Sequence, residues 1–195
     1  MILLVDNYDS FSYNLYQQIG TALAGRDRIR VVRNDELTAQ QIIAQSPSHI
    51  VLSPGPGRPE DAGVCIELIK WAAGRIPIFG VCLGHQAICE AFGATISYAK
   101  ELVHGKASSI ELDSSCPIFE GLPSAIRAAR YHSLAAIDET IPETLAAVAR
   151  ADDGEVMAVA HRDYPIYGVQ FHPESILTPD GDKIMNNFLQ IAVAY

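Results

Sequence analysis

From Ile2 to Gly93, short apolar runs alternate with segments of helical period, and no other feature limits the possible folds of this chain as strongly. "ILLVD" (2–6) reads as a strand, and "SFSYNLYQQIGTALAG" (10–25) as a helix opened by Ser10 and closed near Gly25. "IRVVRND" (29–35) is the next strand, followed by a helix in "LTAQQIIAQS" (37–46). "HIVLSPGPG" (49–57) is a strand running into a turn, "DAGVCIELIKWAAG" (61–74) a helix, and "IPIFGV" (76–81) a fourth strand. This rhythm predicts a parallel sheet with helices on both faces. Beyond Gly93 the pattern changes to short β-rich pieces, among them "VMAVAHRDYPIYGVQFHP" (156–173), which reads as two strands after the turn-prone "ADDG". "DGDKIMNNFLQIAVAY" (180–195) closes the chain as an amphipathic helix. The expectation is one α/β domain over residues 1–195, with a mostly parallel central sheet flanked by helices and a small β-rich addition in the second half.

Composition excludes several classes. With 195 residues, 49% of them apolar and 19% charged, the chain can bury a substantial core. No apolar run approaches the roughly 18 residues of a membrane span. "MILLVDNYDS" lacks a basic n-region and reads as a first strand, not a secretory signal. A formal charge of -9 disfavours a nucleic-acid partner, which needs clustered Lys and Arg. The four cysteines form no C-x-x-C pair and lack zinc-ligand spacing, so no metal site is expected. Reduced thiols and a cytoplasmic location follow as the expectation.

The segment Gly80-Val81-Cys82-Leu83-Gly84 joins a strand to a helix in the G-x-nucleophile-x-G form of a nucleophile elbow. A sharp turn there holds the nucleophile in a strained conformation, and the flanking glycines let neighbouring segments approach without a Cβ clash. The helix start leaves backbone N–H groups free to stabilise an oxyanion. The same pentapeptide also fits a core cysteine at a strand end, so the nucleophile reading needs a base. Of the six histidines, His49, His85, His104, His132, His161 and His172, the last lies directly after an apolar strand in "YGVQFHPES". Glu174 is two residues on, and positions i and i+2 of an extended segment point the same way. The carboxylate can then orient an imidazole that faces the thiol. Alone, His172 fits a surface or satisfied core histidine; with Glu174 and the elbow it fits a triad. "SPGPG" (53–57) ends another strand, where its glycine N–H groups can face a ligand or merely complete a βα turn. Both "SPGPG" and "GVCLG" fall at carboxyl ends of strands, where open α/β sheets bind ligands.

These segments, together with "DNYDSF" (6–11), "HGKAS" (104–108) and "RYHSL" (130–134), make the chain resemble the class I, triad-type glutamine amidotransferase domain over essentially its whole length. The resemblance implies a flavodoxin-like fold with Cys82 as nucleophile, His172 as general base and then acid, and Glu174 orienting it. It implies an oxyanion hole from the backbone N–H groups of Gly57 and Leu83, and glutamine recognition by Gly57, Gln86, Ser133 and Leu134. Gln86, Ser133 and Leu134 rest on the resemblance alone, although Gln86 lies one helical turn beyond Cys82. Within the family the chain is similar to the glutaminase subunits of anthranilate synthase and aminodeoxychorismate synthase, which some organisms share between both pathways. "HGKASSIE" and "VMAVAH" lean toward the anthranilate type. The resemblance further implies L-glutamine as substrate, no cofactor in this chain, and a separate chorismate-binding synthase subunit that uses magnesium. Alternatives are a stand-alone cysteine hydrolase of γ-glutamyl substrates and a non-catalytic flavodoxin-like binding module. Cys65 and Cys89 read as core, Cys116 as a loop residue, and His85 and His132 as non-catalytic. The "HGK" turn and the Asn7–Tyr8–Asp9 loop serve either packing or an interface.

Overall fold

The computed structural model describes residues 1–100 and 105–192. Its first half realises the predicted alternation: β1 (Ile2–Asp6), α1 (Ser12–Leu23), β2 (Ile29–Arg33), α2 (Ala39–Ile43), β3 (His49–Leu52), α3 (Cys65–Ala72), β4 (Ile78–Val81) and α4 (Leu83–Ala91). Every residue of β1, β3 and β4 is buried, because helices cover both faces of a parallel sheet. The two faces carry separate apolar clusters. One gathers Leu4, Val51, Phe79 and Phe188; the other gathers Leu3, Val5, Ile50, Leu68 and Ile88.

The second half supplies β5 (Ile96–Tyr98), β6 (Lys106–Leu112), β7 (Ala125–Arg130), β8 (Leu134–Ala136), β9 (Leu145–Ala151), β10 (Val156–His161), β11 (Ile166–Val169) and α5 (Gly181–Leu189). Among the described residues the main sheet has nine strands in the order β2-β1-β3-β4-β11-β10-β9-β6-β7, and β5 pairs with β8 in a small second sheet. Strands β2, β1, β3, β4 and β11 run parallel, while β10, β9, β6 and β7 continue the sheet antiparallel. Most of the β-rich second half therefore extends the central sheet instead of packing beside it. The decisive neighbour is β11, which lies parallel to β4 with Val169 opposite Val81.

Three helices differ in their limits from the sequence reading, and of these α3 begins only at Cys65 and ends at Ala72. Helix α1 begins at Ser12, not Ser10, because side chains organise the preceding turn. The Phe11 N–H donates to the Asp9 carboxylate (2.8 Å) and the Ser12 hydroxyl to Asp6 (2.7 Å). The helix ends with Ala24 and Gly25 both at positive φ, which matches the expected close. Helix α5 stops at Leu189; the last three positions of the predicted helix, 193–195, lie outside the described residues, as does His104.

Candidate active site

The elbow between β4 and α4 exists because two glycines leave room for it. A Cβ on Gly80 would strike the Gly84 carbonyl, and one on Gly84 would strike the backbone of Leu52. Between them Cys82 adopts φ 52° and ψ -101°, a conformation that L-residues avoid and that costs on the order of 1–3 kcal/mol. Neighbouring backbone holds it there: the Cys82 N–H donates to Val169 (2.9 Å), and its carbonyl accepts from the Gln86 N–H (3.0 Å). Leu83 is the first residue of α4, so its N–H has no intrahelical acceptor.

Because β11 lies beside β4, the chain leaving β11 passes the elbow. The His172 Nδ1 donates to Glu174 Oε1 at 2.6 Å, as the i, i+2 spacing predicts, and both side chains are buried. Its Nε2 is buried without a well-formed hydrogen bond, yet the Cys82 thiol is near enough to act on the ring. Burial pulls the His172 pKa down, but the neighbouring Cys82 thiol and then Glu174 outweigh it and push the value up to about 10. Phe11 and Tyr131 meet the imidazole edge-on at 5.7 and 5.0 Å between ring centroids, which shields it from water.

A cavity of about 180 Å³ opens on Cys82, room for one amino-acid-sized ligand, and its lining includes Gly57, Gln86, Ser133 and Leu134. The structure thus gathers around Cys82 every residue expected to contact glutamine. Leu83, the first residue of α4, is not among the residues lining the cavity. Gly57 has φ 81°, which explains its glycine. The "SPGPG" turn is anchored by Asn7, whose backbone N–H donates to Ser53 Oγ and whose side-chain amide donates to the Ser53 carbonyl, both at 2.8 Å. Asn7 is therefore packing, whereas Tyr8 is exposed.

The remaining candidates separate by burial. His85 is fully buried beside Cys89, and burial pushes its pKa down to about 3. Burial likewise raises Cys65 and Cys89 to about 12, so neither thiol is available as a nucleophile. Cys116, expected in a loop, caps a short turn but is buried as well. His132 is pushed down to about 4 by burial and by the Arg130 guanidinium, so it stays neutral. It serves the pocket wall, with Nδ1 donating to the Leu134 carbonyl (3.0 Å) and Nε2 accepting from Arg130 (3.1 Å). Arg130 is itself buried against Glu155 (2.7 Å) and Asp153 (2.9 Å).

Sequence reasoning missed three contributors: Arg130, Gln170 and Thr178. Gln170 precedes His172 by two, so the spacing that found Glu174 would have found it. Thr178 has no local signal. Its hydroxyl accepts from the Ala129 N–H (2.9 Å) and donates to the His172 carbonyl (2.7 Å), while the His172 N–H donates to the Ala129 carbonyl (3.0 Å). Thr178→Val keeps the volume, strands the buried Ala129 N–H at about 1–3 kcal/mol, and leaves the His172 carbonyl only its longer bond from the Ser175 N–H (3.3 Å). We expect glutamine hydrolysis to fall about tenfold in Thr178→Val, since 1.4 kcal/mol is one decade, and to be largely kept in Thr178→Ser. Equal kcat in all three proteins would show that the clamp on His172 does nothing.

A strained cysteine at the end of a parallel strand, close to a histidine–carboxylate pair that follows the neighbouring strand, is the arrangement of a nucleophile elbow in an α/β protein. Residues 3–192 match the family model described as glutamine amidotransferase class-I, and the chain belongs to that family. It is 49% identical over 190 residues to the aminodeoxychorismate/anthranilate synthase component 2 of Bacillus subtilis, covering 97% of this chain and 96% of that one. It is 47% identical over 190 residues to the bifunctional protein TrpGD of Thermotoga maritima, covering 97% of this chain but only 32% of that longer protein. Among solved structures, a GMP synthase-type protein of Thermoplasma acidophilum superposes with a TM-score of 0.82 at 27% identity, covering 96% of this chain and 91% of that one. Among the described residues, no helix is long and apolar enough to cross a membrane.

Proposed function

We propose that this chain is the glutaminase subunit of anthranilate synthase. The observation that carries the proposal is that Cys82, on a cavity lined by Gly57, Gln86, Ser133 and Leu134, also acts on the buried His172 of the His172–Glu174 pair. Cys82 attacks the side-chain amide carbon of L-glutamine with its proton already passed to His172, whose raised pKa favours holding it. The N–H groups of Gly57 and Leu83 hold the developing oxyanion. His172 then returns the proton to the leaving nitrogen, so ammonia departs and a γ-glutamyl thioester remains. Water, deprotonated by the same ring, cleaves the thioester to glutamate and restores the thiol. The chain needs no cofactor of its own for these steps, and acts in the cytoplasm.

The ammonia passes to a separate chorismate-binding synthase subunit. The names of the relatives support this reading, since component 2 implies a component 1. A shared role in aminodeoxychorismate formation is the second reading, favoured because the Bacillus subtilis relative carries both names. The test is steady-state glutaminase activity of the purified chain, alone and with each candidate synthase subunit plus chorismate, with both amination products followed. We expect slow hydrolysis alone, since the elbow, the "SPGPG" turn and residues 131–133 are connections between elements that a partner can shift. Addition of the cognate synthase raises the rate and yields anthranilate. Full activity alone, unchanged by any synthase, would point to the stand-alone hydrolase.

A further inference from the structure

A single backbone carbonyl fixes the polarity of a buried hydrogen-bonded chain that ends on the Cys82 sulfur. The Leu134 oxygen can only accept, and an Nε2 of Gln86 lies 3.0 Å from it, so Gln86 turns its amide nitrogen that way. The same nitrogen lies 3.1 Å from Gln170, which must therefore present its oxygen. The Gln170 nitrogen is left facing Cys82 Sγ at 3.6 Å, where it donates. Turning either amide over would set oxygen against oxygen or nitrogen against nitrogen. The far end is pinned as well. Arg130 has donors only, so His132 accepts at Nε2 and donates from Nδ1 to the same Leu134 oxygen. Gln170 is completely buried, in a place that an apolar side chain of equal size would fill without desolvating an amide.

We propose that Gln170 is a positioning residue: its amide holds the Cys82 sulfur in attacking orientation and ties it, through Gln86, to the Leu134 wall of the cavity. This rests on Cys82 being the nucleophile, as proposed above. Position 170 belongs to the segment that carries His172, and Cys82 hydrogen-bonds that segment through its own N–H to Val169. Sulfur, base and cavity wall thereby share one frame.

The experiment measures the rate of Cys82 alkylation by iodoacetamide in the full chain, by peptide mass spectrometry at one fixed pH. Iodoacetamide needs no glutamine recognition, so it reports the sulfur alone. Gln170→Met keeps the volume and removes the donor. Gln170→Glu keeps an oxygen for Gln86 but sets a carboxylate oxygen where the N–H was. We expect about tenfold slower Cys82 alkylation in Gln170→Met and a larger loss in Gln170→Glu, with kcat for glutamine falling in parallel. Thermal melts identify folded variants, and if the Met variant does not fold, the Glu variant decides alone. A residue that only filled space would leave alkylation unchanged on replacement by methionine, and unchanged alkylation in a folded variant overturns this proposal alone. Parent protein in which Cys82 reacts no faster than Cys65, Cys89 and Cys116 would overturn the nucleophile assignment and this proposal with it.

Discussion

Cys82→Ser eliminates glutamine-dependent synthesis by the complex and leaves ammonia-dependent synthesis intact. Serine keeps the elbow geometry and the side-chain shape, so the strained φ of 52° and the bonds to Val169 and Gln86 are retained. What is lost is the sulfur nucleophile that the site is built around. Removing a nucleophile from a triad costs up to about 10⁶ in rate, so glutamine turnover should fall at least about a thousandfold. The partner aminates its substrate from whatever ammonia reaches it, and added ammonium salt bypasses this chain. Initial rates with glutamine and with ammonium salt distinguish the outcomes. Parallel loss of both activities would mean that Cys82 supports the assembly and not the chemistry.

His172→Ala is expected to be as damaging as loss of Cys82, and the combination little worse than either alone. A nucleophile and its base act as one unit, so removing the second after the first changes little. The structure gives the reason: Nδ1 is committed to Glu174, and Nε2 is the ring atom left to the thiol. Glu174→Gln should be milder by roughly one to two orders of magnitude. A neutral amide can still accept from Nδ1–H and hold the ring, but it no longer supports the imidazolium. Steady-state rates of glutamate release from the single and double variants complete the cycle. Losses that multiply would break the assignment of these residues to one triad.

The local parts of this site can be read directly from the sequence. The elbow is local: a glycine two residues before and two after Cys82 is visible in five letters, and the close approaches of Gly80 and Gly84 explain those letters. The His172–Glu174 pair is local too, although a turn at Pro173 and Glu174, not the extended segment that the i, i+2 spacing assumes, brings the two side chains together. The parallel half of the sheet follows from periodicity, because fully buried strands read as uninterrupted apolar runs. Contacts between distant segments leave no such trace. Thr178 reaches Ala129 across 49 positions and Gln170 reaches Cys82 across 88, and neither partner can be inferred from spacing. The capping rule misplaces the start of α1 because it looks for a serine, whereas Asp6 and Asp9 organise that turn. The second half reads as β-rich, but its continuity with the main sheet depends on β11 choosing β4 as a neighbour, which no local pattern encodes.

That choice of neighbour has a consequence for how the protein comes into being. A ribosome makes the elbow, the "SPGPG" turn and the first four strands well before the strand that brings His172. At roughly 5–20 residues per second, the stretch from Cys82 to His172 takes on the order of 5–20 s to synthesise. Throughout that interval the nascent chain carries the proposed nucleophile, Cys82, without the proposed base. Only when β11 slides in beside β4 do the two meet, so a half-made chain cannot consume glutamine.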